Sequence, residues 1–238
     1  MIGEGVPMRT FLIATLATVV LAAPADAATR NFSITSFTKV RVEGPYKVSV
    51  ATGVAPFASA SGAAAALDRV AIDVRGDTLV VHNAIGSWGG YRGQDPGPVE
   101  IKVGSHDLGS AWLVGSGTMA IDRVRGLTFN LSLQGSGAAR IGAVDVDQLG
   151  VSLAGSSDVR LAGQALKLTA TVRGISSLDA AALSVKDATI AAEGAATIKA
   201  NVGNSATIGA SGPATIELAG RPACTLHTSG STTVSGCR

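Results

Sequence analysis

The sequence predicts an all-β fold, a single-stranded right-handed parallel β-helix (solenoid) with rungs of about 18–20 residues and Gly-Ser-Gly corners. Three observations support this prediction. The run Leu113-Val114-Gly115-Ser116-Gly117 returns repeatedly as a glycine-led corner, apolar and polar residues alternate on both sides of each corner, and 30 of 238 residues are glycine while 4% are aromatic. Small residues suit closely stacked coils better than a core built on rings. The corner glycines are Gly115, Gly135, Gly155, Gly174, Gly194, Gly212 and Gly230, at steps of 20, 20, 19, 20, 18 and 18 residues.

Alternation around each glycine identifies strands rather than helices. Apolar residues stand two and four positions before the glycine and four and six positions after it, as in Leu133/Leu131 and Ala139/Ile141 around Gly135. A period of two is typical of a strand with one buried face. Glycine suits the corner because it reaches positive φ without a Cβ penalty. We expect about four apolar side chains per rung to be buried, each stabilising by about 1.5–3 kcal/mol before the loss of entropy.

The first 27 residues have the pattern of a signal peptide. Met8-Arg9 is a short basic head, residues 11–23 are an apolar run, and Ala25-Asp26-Ala27 has the small-x-small pattern of a cleavage site. An apolar run of about 13 residues is short for a membrane span. We therefore predict cleavage after Ala27, export, and no transmembrane segment in the remaining chain.

Residues 28–238 are predicted to form a single β-helix domain, with N-terminal coils and a cap in 28–100 and regular glycine-corner repeats in 101–238. Alternating strands are predicted around 40–42, 46–50, 70–74 and 78–81, and a helical turn at 63–67. No linker-like stretch separates this half from the repeats. We expect it to cover a sheet edge that would otherwise be open to pairing.

Charge and cysteine content narrow the possible functions. Without residues 1–27, which hold Glu4, Arg9 and Asp26, the chain has 18 basic and 15 acidic residues and a formal charge of +3. This balance predicts no nucleic-acid partner. Cys224 and Cys237 flank the last corner glycine, and in an exported chain they predict a disulfide. A redox or metal pair is the alternative, although the spacing is not CxxC.

Residues 84–98 are the most distinctive stretch outside the repeats. They are rich in glycine and proline, which predicts a loop, and they hold Trp88, Tyr91 and Arg92. The two aromatic rings could stack on a sugar or anchor a protein partner, so these three residues are the predicted ligand-binding site. The alternative is a structural excursion whose rings fold back on the solenoid.

Catalytic residues are not evident in the sequence. His82, His106 and His227 are scattered, and no cofactor or metal site is predicted. Asp145 and Asp147 are two residues apart on one strand face, where they could bind a cation or act as a carboxylate pair; a solvated edge is the simpler interpretation. The outward residues Arg140, Arg160, Asp179, Lys199 and Glu217 mix charges, which favours a soluble face with some pairing between rungs over a polyanion groove.

The chain resembles the bacterial putative auto-transporter adhesin head GIN domain family. The resemblance rests on residues 42–48 (VEGPYKV), Ala66-Leu67-Asp68, residues 76–81 (GDTLVV) and the repeated GSG corners, and it extends from about residue 33 to 236. It implies an exported β-helix, related in shape to pectin-lyase folds, with a role in adhesion and no catalytic residues to transfer. The sequence departs from the GSG pattern after Gly174, where Ile, Ala and Pro follow the corner glycine.

The function predicted from these features is an exported non-catalytic scaffold of the bacterial cell envelope, adhesin-like or ligand-binding. Its partner would be an envelope glycan or a surface protein, in the periplasm or at the cell surface. Two alternatives stay open. One is a structural or envelope-stress protein without a small-molecule ligand, and the other is a polysaccharide-active β-helix enzyme, because the fold alone does not determine function.

Overall fold

The structure, a computed structural model, describes residues 28–84 and 97–238. Nearly all of this part of the chain is β-structure around one apolar core that extends from Phe37 to Leu218. No helix in the described ranges is long and apolar enough to cross a membrane. The elements are β1 (Ala28–Phe32), β2 (Lys39–Glu43), β3 (Lys47–Thr52), β4 (Phe57–Gly62), α1 (Ala64–Leu67), β5 (Val70–Arg75), β6 (Thr78–Asn83), β7 (Glu100–Ser105), β8 (Ser110–Gly115), β9 (Thr118–Gly135), β10 (Ala138–Gly155), β11 (Asp158–Gly174), β12 (Ser177–Glu193), β13 (Thr197–Ser211), β14 (Thr215–Ala219), β15 (Ala223–Ser229) and β16 (Thr233–Ser235).

The predicted parallel β-helix is confirmed by the pairing of its strands. Strands β9 to β13 each make one rung and pair in parallel with their neighbours in sequence. Register follows the repeat, so that Leu133 lies beside Leu153 and Gly135 beside Gly155. Each rung is a single long bent strand between two corners. Local irregularities in the pairing, such as the register shift between Ile141 and Val144, bend the strand, but most residues on either side stay paired with the next rung.

The core of each rung is larger than the sequence pattern suggested. In β9 the buried side chains are Met119, Ile121, Val124, Phe129, Leu131 and Leu133. The prediction of about four per rung was low because alignment on the glycine counted only the residues closest to that corner. Val124 and Phe129 lie in the middle of β9, farther from the corners at its two ends. Their burial adds about 1.5–3 kcal/mol each before entropic costs.

Close contact between rungs requires glycine at the corners. All seven corner glycines have positive φ, between 80° for Gly230 and 115° for Gly135. A methyl group on Gly135 would lie 2.6 Å from the carbonyl oxygen of Gly115 in the preceding rung. An alanine there would therefore meet both a strained backbone and a backbone clash.

The third corner position explains how the later rungs keep this geometry without the GSG pattern. It is always a small or short residue, buried at Gly117, Gly137, Ser157, Ser176, Ala196 and Ala214 and half-buried at Thr232. The hydroxyls of Ser157 and Ser176 are buried, and each donates a hydrogen bond to the carbonyl oxygen of the preceding corner glycine. Corners after Gly174 stay regular because this position needs only a small or hydrogen-bonded side chain.

The N-terminal turns do not stack in the order in which they occur in the chain. Strand β2 lies between β6 and β8, and β3 lies between β7 and β9, so the turn made by β2 and β3 is inserted between two turns formed later in the sequence. The outer end is covered by antiparallel strands β1, β4 and β5 and by α1, whose Ala66 and Leu67 are buried. Alternation predicted most of these strands but carries no information on their spatial order.

The last rung ends in β15 and β16, each paired on one side only. The disulfide predicted from the sequence, between Cys224 and Cys237, closes this rung. It ties the end of the chain to β15, where Cys224 packs against the core. A covalent link at this edge limits fraying of the terminal strands.

Candidate functional site

The sequence-predicted ligand residues Trp88, Tyr91 and Arg92 lie outside the described residues. The strands before and after these residues, β6 and β7, are anchored at the corner that contains Gly44. The Lys47 N–H donates a hydrogen bond to the carbonyl oxygen of Val99, just before β7, and the Tyr46 hydroxyl donates one to Asn83 Oδ1 at the end of β6. Burial raises the pKa of Tyr46, which keeps this hydroxyl a donor. Asn83 and Val99, the described residues near the two ends of that segment, are therefore both anchored to the corner that contains Gly44.

The three histidines are far apart and differ in surroundings. His82 Nδ1 lies 2.8 Å from the Asn83 carbonyl oxygen, and its Nε2 lies 2.9 Å from Asp73 Oδ2. With both ring nitrogens occupied, His82 has no nitrogen left to activate a nucleophile. His106 lines a depression of about 210 Å³ with Arg123 and Arg125, and His227 is exposed on β15.

Asp145 and Asp147 line an open groove on the outer surface, which we call the Asp145 groove. It holds about 470 Å³ and crosses β10, β11, β12 and Gly203 of β13. Asp145 Oδ1 accepts a 2.8 Å hydrogen bond from Gln164 Nε2. The other polar groups are those of Asp147, Ser184 and Lys186, and Leu166 is 56% exposed between them. No cluster of three or more His, Cys, Asp or Glu in the described ranges could hold a metal ion.

The groove follows from the alternation of outward and inward side chains along these strands, with Asp145 and Asp147 exposed and Val146 between them buried. Leu166 of β11 stands beside Asp147 of β10 and Lys186 of β12 in the in-register column, because Ala165 pairs with both Val146 and Val185. Floor residues such as Val146 and Val185 belong to the core and are held by packing on both sides. The polar groups therefore project from a wall that is rigid before any ligand arrives.

A second groove lies on the wall formed by β7, β3, β9 and β10, and we call it the Phe57 groove. It holds about 370 Å³. Its apolar side is the ring of Phe57, its base includes Ser49 and Ala120, and Lys102 and Arg140 stand on either side. Arg140 also borders a neighbouring depression that includes Arg160 and Asp179.

The mixed charges of the outward column are only partly paired. Lys199 Nζ lies 3.1 Å from Glu217 Oε2, which agrees with the predicted pairing between rungs. Lys102 and Arg140 form no ion pair with any residue of the described ranges. Phe57 and Lys102 were not predicted from the sequence as site residues. The available signal was an aromatic residue at an outward strand position in a chain with few aromatics.

Comparison with solved structures finds the same fold in several bacterial proteins. A putative adhesin from Bacteroides fragilis NCTC 9343 shares 18% identity with a TM-score of 0.79, over 89% of this chain and 97% of that one. A putative lipid binding protein from Parabacteroides distasonis ATCC 8503 shares 20% identity with a TM-score of 0.68, over 88% and 96%. A putative adhesin from Parabacteroides merdae ATCC 43184 shares 17% identity with a TM-score of 0.63, over 87% and 95%.

Comparison with curated protein sequences finds no match. The family model described as putative auto-transporter adhesin, head GIN domain, matches residues 36–222. That range begins just before β2 and ends just before β15, so it includes the inserted N-terminal turn and the long-stranded rungs. Over most of its length, this chain therefore belongs to the putative auto-transporter adhesin head GIN domain family.

Proposed function

We propose that this protein is an exported, non-catalytic binding scaffold of the bacterial cell envelope that adheres to a glycan through the Asp145 groove. The observation that carries the proposal is the groove itself, an open channel across four neighbouring strands of a rigid wall. Parallel strands are about 4.8 Å apart, so the channel has room for a ligand of about 14 Å, the length of a short oligosaccharide.

The chemistry of the lining favours a hydroxyl-rich ligand. Carboxylates accept hydrogen bonds, the Gln164 amide and the Ser184 hydroxyl donate and accept them, and Lys186 donates only. Leu166 supplies an apolar surface for the C–H face of a sugar ring. A few polar groups at fixed positions around an apolar surface are typical of small-ligand sites.

Two further observations support a role in adhesion. The family is described as an adhesin head, and two of the similar solved structures are called putative adhesins. The signal-peptide pattern of residues 1–27 supports export. Trp88, Tyr91 and Arg92 remain a predicted second contact.

A glycan array with the purified chain tests the proposal. We expect binding to selected envelope glycans, and a Gln164→Ala/Leu166→Ser variant should lose at least about tenfold in affinity, or 1.4 kcal/mol. The Lys199→Gln variant is the control, because its side chain is exposed on another wall. Trp88→Ala/Tyr91→Ala reports separately on the 84–98 segment. Binding by the groove variant at wild-type affinity would contradict the proposed site, and no glycan binding at all would contradict the function.

A further inference from the structure

We propose that the Phe57 groove is a second binding site, which takes an amphipathic anion with a single hydrocarbon chain. The chain would lie against Phe57 and the small residues of the base, and the anionic head group would bind Lys102 and Arg140. This site is separate from the Asp145 groove and uses different strands. It therefore does not depend on the proposed glycan function.

The groove exists because two small residues interrupt a column of long side chains. Lys102 of β7 is in register with Ser49 of β3, Ser49 with Ala120 of β9, and Ala120 with Arg140 of β10. At about 4.8 Å per strand the Cα atoms of the two cationic residues are about 14 Å apart. Side chains of this length can converge from both sides on one anion, while the space above Ser49 and Ala120 stays open.

An exposed aromatic ring forms the apolar side of the groove. Phe57 is 43% exposed, and neighbouring Val54 is 38% exposed. The ring lies over Gly104, where an added methyl group would collide with it. Glycine at position 104 therefore allows the ring to lie flat on the sheet. Covering apolar surface stabilises a complex by about 25 cal/mol per Å² removed from water, so a hydrocarbon chain gains from this contact.

Charge at the groove favours an anion. Asp122, the nearest acidic side chain of the lining, is already engaged, since its Oδ1 accepts hydrogen bonds from the Thr52 N–H at 3.0 Å and the Arg123 N–H at 2.6 Å. Glu100 on β7 is bound to Lys47. Lys102 and Arg140 are left without an ion pair in the described ranges, and each can donate several hydrogen bonds to a carboxylate or phosphate.

The contributions of the head group and of the hydrocarbon chain to binding can be tested separately. Titration calorimetry on the full-length protein measures the affinity for each probe, used below its critical micelle concentration. Dodecanoate and dodecyl phosphate are the anionic probes, and they distinguish a carboxylate from a phosphate source. Dodecyltrimethylammonium has the same hydrocarbon chain with a positive head group, and acetate has the head group alone. We expect binding of at least one anionic probe and at least about tenfold weaker binding of both controls. Equal binding of dodecyltrimethylammonium would overturn the proposal.

Three variants locate the site. Lys102→Gln/Arg140→Gln should weaken binding of the anionic probe at least about tenfold, and Ala120→Glu, at an exposed position, should abolish it by filling the base with a like charge. Lys199→Gln, in the same outward column but paired with Glu217, is the matched control. Phe57→Ser tests the hydrocarbon contact, with circular dichroism to confirm folding. Unchanged affinity in the double variant and in Ala120→Glu would overturn the assignment, whatever the glycan array shows.

Discussion

The Oγ of Ser176 donates a 3.1 Å hydrogen bond to the carbonyl oxygen of Gly155 in the preceding rung, and it also accepts a 3.2 Å hydrogen bond from the buried N–H of Ser157. Ser157 in turn donates its hydroxyl to the carbonyl oxygen of Gly135 at 3.2 Å. These hydroxyls link consecutive corners, where the chain turns between one strand and the next.

Removal of the two hydroxyls should have unequal effects. Ser157→Ala loses one hydrogen bond, about 0.5–1.5 kcal/mol, whereas Ser176→Ala also leaves a buried N–H without its acceptor, a further cost of about 1–3 kcal/mol. Urea denaturation measures both changes in the free energy of unfolding. Ser136→Ala, an exposed serine at the middle of a corner, is the control and should be near neutral. Equal losses for Ser157→Ala and Ser176→Ala would show that the linked arrangement does not matter.

Gly135→Ala should be one of the most destabilising single changes in the protein. It combines a φ of +115° with a methyl group 2.6 Å from the Gly115 carbonyl oxygen. Strain at such a backbone alone costs about 1–3 kcal/mol. Gly126→Ala is the matched control, because Gly126 also has positive φ but nothing lies within 4 Å of the added methyl group. The difference in melting temperature between the two variants measures the contact between rungs, and no difference would refute it.

Leu133 lies in the middle of the stacked core, and Leu133→Ala should lower the free energy of unfolding by about 2–5 kcal/mol, because the paired Leu153 and Leu113 cannot close the cavity without moving their rungs. Arg140→Gln, on the outward face of the next rung, should change it by less than about 0.5 kcal/mol. Denaturant titration of both variants checks this contrast. A small effect at Leu133 would mean that the rungs are not tightly coupled.

The disulfide should protect only one end of the solenoid. Cys224 and Cys237 are 13 residues apart, and a loop of that size is worth about 3 kcal/mol in the chain-entropy model. Cys224→Ser/Cys237→Ser should therefore increase hydrogen exchange in β15 and β16 and leave β9 and β10 protected. Exchange that rises uniformly along the chain would instead indicate a fully cooperative unit.

Acid should weaken the β5–β6 hairpin through Asp73. The hydrogen bond with His82 is the main cause that lowers the pKa of Asp73, and Arg75 adds to it. A lowered folded-state pKa means that the stabilisation is complete above the unfolded-state value and is lost as pH falls through the folded-state value. The stability difference between wild type and Asp73→Asn should therefore shrink from about pH 5 downward. Denaturant titration at each pH measures this difference, and a difference that does not change with pH would contradict the prediction.

Sequence periodicity predicted the repeated architecture because every rung places the same kind of residue at the same step from its glycine. It could not show that β2 and β3 insert between later turns, since strand order depends on which edges meet in space. Asp145 was considered from the sequence, but its neighbours Gln164 and Ser184 belong to the next two rungs, 19 and 39 residues later in the chain. The Phe57 groove was missed because its two cationic residues, Lys102 and Arg140, come together only through the inserted strand β3.

An amide NMR titration of the isotopically labelled full chain, with the oligosaccharide that binds best on the array, locates the bound glycan on the protein. We expect the largest chemical-shift changes on β10 to β12 around Asp145, Gln164 and Lys186, and we expect them to disappear in Gln164→Ala/Leu166→Ser. Changes confined to residues outside the Asp145 groove, or the same changes in that variant, would contradict the proposed site.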